Sequence, residues 1–488
     1  MVIVIALGLG IVAFIFALRM LKAEEVGSGL VLTAREAGAV MSSPELGDTE
    51  KEQLIRRAAG RLFLGFFRIG AIGAISIGAA ILIVWLGTLV GLYTASEAVA
   101  LGSNWIFLLV SSVAAVALWL VVRRRAPPAE AAADEAQALP YGTLDRALHR
   151  IAFAAPGLQK ALADVETSRF SDRIDIETAQ RPVFVTSLAR AGTTILLETL
   201  AAQREFASAT YRHMPFTLAP LLWSDLTKSF QKDDGLAERA HGDGLTIGFD
   251  SPEAFEEMVW MAFWKGHYRR DRITAWSAEE RQEAFEAFFR RHRAKIVASQ
   301  PGATRYLSKN NTNIARLGLL EEIAPDASIV IPVRDPLAHA ASLLRQHRRF
   351  TELHAREPFG RRYMEGIGHF EFGAALRPIV FEGDPPPREE ADHLDHWLRY
   401  WADTYENVLA TAGDRAIFVD HDALSAEPAR HLLALADALA LQEPEDLVGS
   451  ASRFRPSRPA DPPEAAAADR VERTRELHAR LSARCLTP

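Results

Sequence analysis

The chain has 488 residues, 49% of them hydrophobic and 24% charged, with a formal net charge of −7. That length exceeds one ordinary core, so two or more regions are expected. The acidic balance argues against a nucleic-acid partner, and the apolar content excludes disorder for the bulk of the chain. The single cysteine, Cys485, excludes an internal disulfide framework and a cysteine-rich zinc site.

The first quarter is far more apolar than the rest. Val2–Leu18 is 17 uncharged residues, Ile69–Ser96 is 28 and Ala98–Val122 is 25. Runs of this length predict three transmembrane helices, at about 2–18, 69–92 and 104–122. The last two form a hairpin that turns near Glu97, Gly102, Ser103 and Asn104. Residues 19–68 hold eight Lys or Arg, the hairpin turn holds none, and Arg123, Arg124 and Arg125 stop the third span. The N-terminus is therefore expected outside and everything after Val122 in the cytoplasm. A cleaved signal peptide would carry its positive charge before the apolar run, whereas here the charge follows it. Glu97 is the lone charge of residues 69–122, which argues for an anchor rather than an ion or substrate path. The stretch DTEKEQLIRRAAGRLFLGFF reads as an interfacial helix entering the second span, with Arg56, Arg57 and Arg61 on anionic headgroups, or as a plain cytoplasmic loop.

Residues 123–143, rich in Ala, Pro and acid, read as a linker. The domain that follows is expected over 144–488, beginning with a helix over 144–170. Strands and helices then alternate. Pro182–Leu188 is a strand and Thr193–Gln203 a helix; FASATY is a second strand. Residues 277–299 form an amphipathic helix opened by a Ser/Glu capping box. RYLSKN is a strand, IARLGLLEEIAP a helix, Ser328–Val333 a strand, PLAHAASLLRQH a helix, DHLDHWLRYWADTYENVLATA a long helix and AIFVD a late strand. Apolar strands between helices predict a parallel sheet covered on both faces. The charged C-terminal run after Ala465 reads as one more helix.

The chemistry centres on RPVFVTSLARAGTTILLETLA, residues 181–201. A buried strand runs into a tight loop, Ala189-Arg190-Ala191-Gly192, and a helix starts at Thr193. Loop amides and the helix N-terminus point one way and make an anion site. Gly192 admits close backbone approach, Thr193 and Thr194 add hydroxyls, and Arg190 adds charge. Compared with a nucleotide-triphosphate loop, GxxxxGK[ST], Ser187 replaces the first Gly and Thr193 the Lys, which argues against triphosphate hydrolysis. A second stretch, IVIPVRDPLAHAASLL, places Arg334 at a strand end and Ser342 eight residues on, about two helical turns. Pro336 suits the start of that helix.

These two stretches, with Arg190 and Arg334 144 residues apart, resemble the sulfotransferases that use 3′-phosphoadenosine 5′-phosphosulfate (PAPS). The resemblance covers roughly residues 180–425. It implies an α/β fold: a P-loop-like parallel sheet flanked by helices, here preceded by the three N-terminal transmembrane helices. It implies that Arg190, Ala191, Gly192, Thr193 and Thr194 bind the 5′-phosphosulfate of PAPS, and that Arg334 and Ser342 hold its 3′-phosphate. The family's usual Gly and Pro are Ser187 and Ala189 here. Lys309, in LSKNNTNIARLGLL, is expected to reach the phosphosulfate or the acceptor, with Asn310, Asn311 and Asn313 as cap and turn residues. The alternative is that this segment only caps its helix.

Sulfonate transfer by in-line displacement places charge on the leaving phosphate, where Arg190 is the first choice to stabilise it. A good leaving group requires no metal, and no metal-ligand spacing is seen. The acceptor must lose a proton. In several branches of the family the base falls about 20 residues after the loop, where this chain has His213. His241, Asp243, Glu253 and Glu256 are the alternatives, and Glu198 is expected to face packing or solvent. His347, His369, Phe370 and Glu371 are acceptor-side candidates. Trp397 and Trp401 either stack on a sugar or belong to the core. The expectation is a membrane-anchored bacterial enzyme of the inner membrane. Its catalytic domain is cytoplasmic, and it takes sulfonate from PAPS to a hydroxyl or amine of a carbohydrate or glycolipid acceptor at the lipid bilayer. A kinase-like or other nucleotide-binding membrane protein and a non-catalytic scaffold are the competing readings.

Overall fold

A computed structural model describes residues 2–23, 26, 30, 33, 48–103, 149, 152–154, 156–177, 179–227, 237–238, 246–247, 251–456 and 464–488. The expected third span, the 123–143 linker, His241 and Asp243 lie outside the described residues. The chain divides into two compact units, Met1–Ala133 and Asp134–Pro488.

In the first unit, helix Val2–Met20 packs on helix Asp48–Leu89, where Gly10 faces the Ala80 backbone and the Val84 side chain. The expected interfacial helix and second span are thus one continuous helix of 42 residues. Within it Ala58–Leu89 is, among the described residues, the one helix long and apolar enough to cross a membrane. At 1.5 Å per residue it is about 48 Å long, more than a bilayer core of about 30 Å. Phe63, Phe66, Phe67, Ile81 and Trp85 are exposed along it. The expected first span lies in helix Val2–Met20, whose apolar stretch, Ala6–Leu18, is shorter than that of Ala58–Leu89. After Leu89 the chain turns, with the Tyr93 hydroxyl donating to the Val84 carbonyl at 2.8 Å. Thr94 and Glu97 then form a capping box on helix Ala95–Gly102, in which the Glu97 carboxylate accepts the Thr94 N–H at 2.8 Å. The lone charge of residues 69–122 is therefore spent on a helix start.

Among the described residues the second unit holds nine strands: β1 Val183–Val185, β2 Phe206–Ala207, β3 Ala237–Glu238, β4 Thr246–Ile247, β5 Ile273–Thr274, β6 Arg305–Lys309, β7 Ser328–Val333, β8 Ile379–Val380 and β9 Ala416–Asp420. Five of them form a sheet in the order β2-β6-β1-β7-β9, and every neighbouring pair in it is parallel. Two-residue pairs β3–β4 and β5–β8 stand apart from it. The sequence explains the sheet. Phe184, Ile329 and Ile331 enter one core, while Val183, Val185, Leu307, Val330 and Val419 enter another on the opposite face. With both faces buried, the strands read as unbroken apolar runs. The chain leaves β1 toward β2 and β6 on one side and reaches β7 and β9 on the other, so β1 is the switch point where a crevice opens at the strands' carboxyl ends.

Helices Thr193–Ala201, Pro336–Arg356, Leu394–Thr411 and Ala468–Ser482 stand where expected. The amphipathic helix is shorter than expected, Glu283–Ser299. Its proposed cap belongs to a separate turn, where Glu280 accepts the Ser277 N–H at 2.8 Å. Residues 311–315 form a 3-10 turn that delays the next helix to Leu317–Ile323.

Candidate active site

The carboxyl ends of β1, β6, β7 and β9 converge on one cleft with about 790 Å³ of empty space, part of it open to solvent. Arg190, Gly192, Thr193 and Thr194 line it from the loop after β1, Lys309 and Asn311 from the end of β6, Arg334 from the end of β7 and His421 from the end of β9. His369, Glu371 and Phe372 close it from the segment after helix Pro358–Ile367.

The β1 loop is tied down along its length. Ser187 is fully buried, and its hydroxyl donates to the Pro332 carbonyl at 2.8 Å and pairs with the Tyr405 hydroxyl at 2.6 Å. His339 Nε2 meets the Ala189 carbonyl at 2.8 Å. Burial pushes the His339 pKa down to about 3, so near neutral pH the ring is neutral and its Nε2–H donates to that carbonyl. Arg334 Nη1 donates to the Arg190 carbonyl at 3.1 Å, and Arg190 Nε donates to the Ser342 hydroxyl at 3.3 Å. Arg190 and Gly192 both have left-handed backbone, with φ of 73° and 88°. For Arg190 that conformation is strained, and strain of this kind gathers at binding loops.

Ala191 and Ser342 are buried and do not line the cleft; Ser342 reaches it through Arg190. On the Ser342 helix, Pro336 is the first residue and Asp335 the N-cap, its carboxylate accepting the Ala338 N–H at 2.8 Å. Thr193 Oγ1 donates to Asn311 Oδ1 at 3.4 Å, joining the β1 loop to the β6 turn. Burial is the largest influence on Arg334 and disfavours its charge, with Asp422 the first group opposing it.

Lys309 sits at the end of β6, and the turn after it is held from below. Glu256 is buried: Oε2 accepts from the Tyr306 and Ser308 hydroxyls at 3.0 and 2.5 Å, and Oε1 accepts from Asn313 Nδ2 at 2.9 Å and Trp260 Nε1 at 3.2 Å. Glu257 accepts from Asn310 Nδ2 at 2.8 Å and ion-pairs with Arg316, whose guanidinium lies 3.7 Å from the Trp260 ring centre. This network braces the segment that carries Lys309 and Asn311.

Residues 182–371 match the sulfotransferase family model. No curated protein matches the chain. Two solved structures are similar: sulfotransferase STF1 of Mycobacterium tuberculosis, with 17% identity and a TM-score of 0.37 over 71% of this chain and 88% of that one, and sulfotransferase STF9 of Mycobacterium avium, with 17% identity and a TM-score of 0.34 over 65% and 79%.

Within the matched segment, the expected base is not brought to the cleft. His213 is buried in a 3-10 turn, its Nδ1 accepts the Thr210 N–H at 3.0 Å, and it is not among the cleft-lining residues. Glu253 accepts from the Tyr211 hydroxyl at 2.7 Å, and Glu198 pairs with Arg453 at 2.7 Å. Glu371 does line the cleft, and Asn311 Nδ2 donates to its Oε1 at 2.8 Å. It also borders an adjoining pocket walled by Leu188, Leu343, Phe370, Trp397 and Tyr400. His347 Nδ1 accepts the Gly373 N–H at 3.2 Å and His354 Nδ1 the Ala374 N–H at 3.1 Å, which fixes the backbone just beyond Glu371. Trp397 and Trp401 are buried core residues, the first also facing the adjoining pocket. Among the described residues no cluster suited to a metal ion is found. His421 lines the cleft without belonging to either sequence motif. Its one signal was position, directly after an outer strand of a parallel sheet.

Proposed function

We propose that the protein moves the sulfonate group of PAPS to a hydroxyl or amine of an acceptor. The observation that carries this reading is the meeting of Arg190, Gly192, Thr193, Thr194 and Arg334 in one cleft, with Ser342 joined to Arg190. Arg334 Nε is buried there without a hydrogen-bond partner among the described residues, a donor suited to a phosphate oxygen. The loop amides, Thr193, Thr194 and Arg190 would hold the 5′-phosphosulfate, and Arg334 with Ser342 the 3′-phosphate. PAPS supplies an activated sulfonate: the acceptor atom bonds to sulfur as the sulfur–oxygen bond to the 5′-phosphate breaks. The electron pair goes to the phosphate, leaving adenosine 3′,5′-bisphosphate. Arg190 and Lys309 stabilise that charge. The acceptor's proton passes to a base. Glu371, between the cleft and the adjoining pocket, has better support for this role than His213, which lies away from the cleft.

The helix Ala58–Leu89 and the Lys and Arg pattern of residues 19–68 support a membrane anchor with the catalytic domain in the cytoplasm. An anchor of this kind suits an acceptor at the bilayer, a carbohydrate or glycolipid. The test offers labelled PAPS and a membrane-lipid extract to the full chain, and measures binding of adenosine 3′,5′-bisphosphate against ATP and GTP. Sulfonate transfer with selective binding of the bisphosphate supports the reading. Binding of ATP in preference, with a Mg²⁺ requirement, overturns it.

A further inference from the structure

His421 directly follows β9 and lines the same cleft as Arg190 and Arg334. Its ring lies against Gly192 so closely that a Cβ at that position would collide with Nδ1 and Cε1. Nδ1 of His421 and Nε of Arg334 are both buried and both lack a hydrogen-bond partner among the described residues. Two unmet polar atoms on residues lining one cleft cost stability in the free protein, and such groups are kept where a ligand satisfies them. The ligand must accept hydrogen bonds and tolerate a guanidinium beside it, which describes a phosphate oxygen.

Every element around the ring adds charge. Arg334 projects from the end of β7, Asp420 from the end of β9, Asp422 from the His421 helix itself, and His339 from helix Pro336–Arg356. Arg190 faces the same cleft. The two carboxylates are engaged elsewhere: Asp420 accepts the Asp422 and Ala423 N–H groups at 2.9 Å, and Asp422 accepts the Asp335 N–H at 3.0 Å.

We propose that His421 is a ligand of the donor nucleotide's phosphate, neutral in the free protein and protonated when the phosphate dianion is bound, so that binding draws a proton from solvent. This rests on reading the cleft as the PAPS site. Burial, and then Arg334, hold the imidazole below its usual pKa in the free protein. A phosphate dianion beside the ring reverses that balance. With the bound pKa above the free one, affinity is highest at low pH and falls as pH rises through the window between them. The nucleotide's own phosphate ionisation, near pH 6, acts in the opposite sense, so the comparison is made above about pH 6.5.

The test is calorimetric binding of adenosine 3′,5′-bisphosphate to the full chain from about pH 6.5 to 8, in two buffers of different ionisation heat, for the wild type and His421→Gln. The wild type is expected to take up a fraction of a proton per nucleotide and to lose affinity toward pH 8. His421→Gln is expected to bind roughly tenfold more weakly at the acid end, the loss of one charge-assisted hydrogen bond, with a flat profile and heats independent of buffer. The wild-type proton uptake is readable even where the variant folds poorly. Equal uptake in both proteins, or none in the wild type, overturns the role of His421 and leaves the donor reading standing. No binding of the bisphosphate to the wild type overturns the donor reading, and the proposal falls with it.

Discussion

The Arg334 guanidinium donates through Nη1 to the backbone carbonyl of Arg190, 3.1 Å away and 144 residues earlier in the chain. One arginine thus braces the β1 loop while a second nitrogen of the same group, Nε, is left without a partner among the described residues. Arg334→Ala removes both the brace and a phosphate donor. Hydrogen bonds to charged groups are worth about 1.5–3 kcal/mol, so adenosine 3′,5′-bisphosphate affinity is expected to fall roughly 10- to 150-fold. Calorimetry at fixed salt reads the loss directly, and an unchanged Kd would remove Arg334 from the site.

Gly192 is required twice over. Its φ of 88° disfavours any side chain, and a Cβ there would strike the His421 ring. Left-handed backbone costs a non-glycine residue about 1–2 kcal/mol, and the collision adds to it. Gly192→Ala is expected to lower the melting temperature and to weaken nucleotide binding together. A variant that melts and binds like the wild type would show that the loop and ring are not packed in this way.

The parallel sheet was legible in VFV, SIVIPV and AIFVD because strands buried on both faces carry no polar alternation to hide them. Arg190 and Arg334 were legible because each sits at the end of such a strand, where a parallel sheet gathers its ligands. Glu371 and His421 carry no comparable local mark. Glu371 reaches the cleft through a segment pinned by His347 and His354 from another helix, and His421 through contact with a glycine in a distant loop. His213 is expected at the cleft from its distance along the chain alone, and that does not fix its distance in space. The structure turns its ring back onto its own turn, at the Thr210 N–H. The Ser277 cap motif does not start the helix for a related reason, since its hydrogen bonds close a separate turn before the helix begins.

Glu371→Gln keeps the shape of the side chain and its hydrogen bond from Asn311 while removing the base. General-base catalysis contributes typically about 10²- to 10⁴-fold, so turnover is expected to fall within that range with bisphosphate affinity kept. His213→Ala is expected to leave turnover close to wild type in the fraction that folds. Steady-state sulfonate transfer on both variants separates the two residues. Loss in His213→Ala with full activity in Glu371→Gln would return the role to His213.

His396 offers a stability test away from the cleft. It is 3% exposed, neither ring nitrogen has a hydrogen-bond partner among the described residues, and it packs against Trp397 and Tyr400. Burial, followed by Arg399, pushes its pKa down to about 4. An unfolded histidine titrates near 6.5, so between about pH 6.5 and 4 the unfolded chain binds the proton and the folded chain does not. Its contribution to stability is therefore fully present above that window and is lost as pH falls through it. His396→Phe keeps a ring of similar shape, removes two unmet polar atoms and removes the proton uptake. Other buried histidines, His292 and His339 at about 3 and His347 at about 4, retain the same dependence in both proteins. The melting temperature of His396→Phe is thus expected to match or exceed wild type at pH 7, and its advantage to widen at pH 5. Parallel melting curves at the two pH values would show that His396 is not held neutral in the fold.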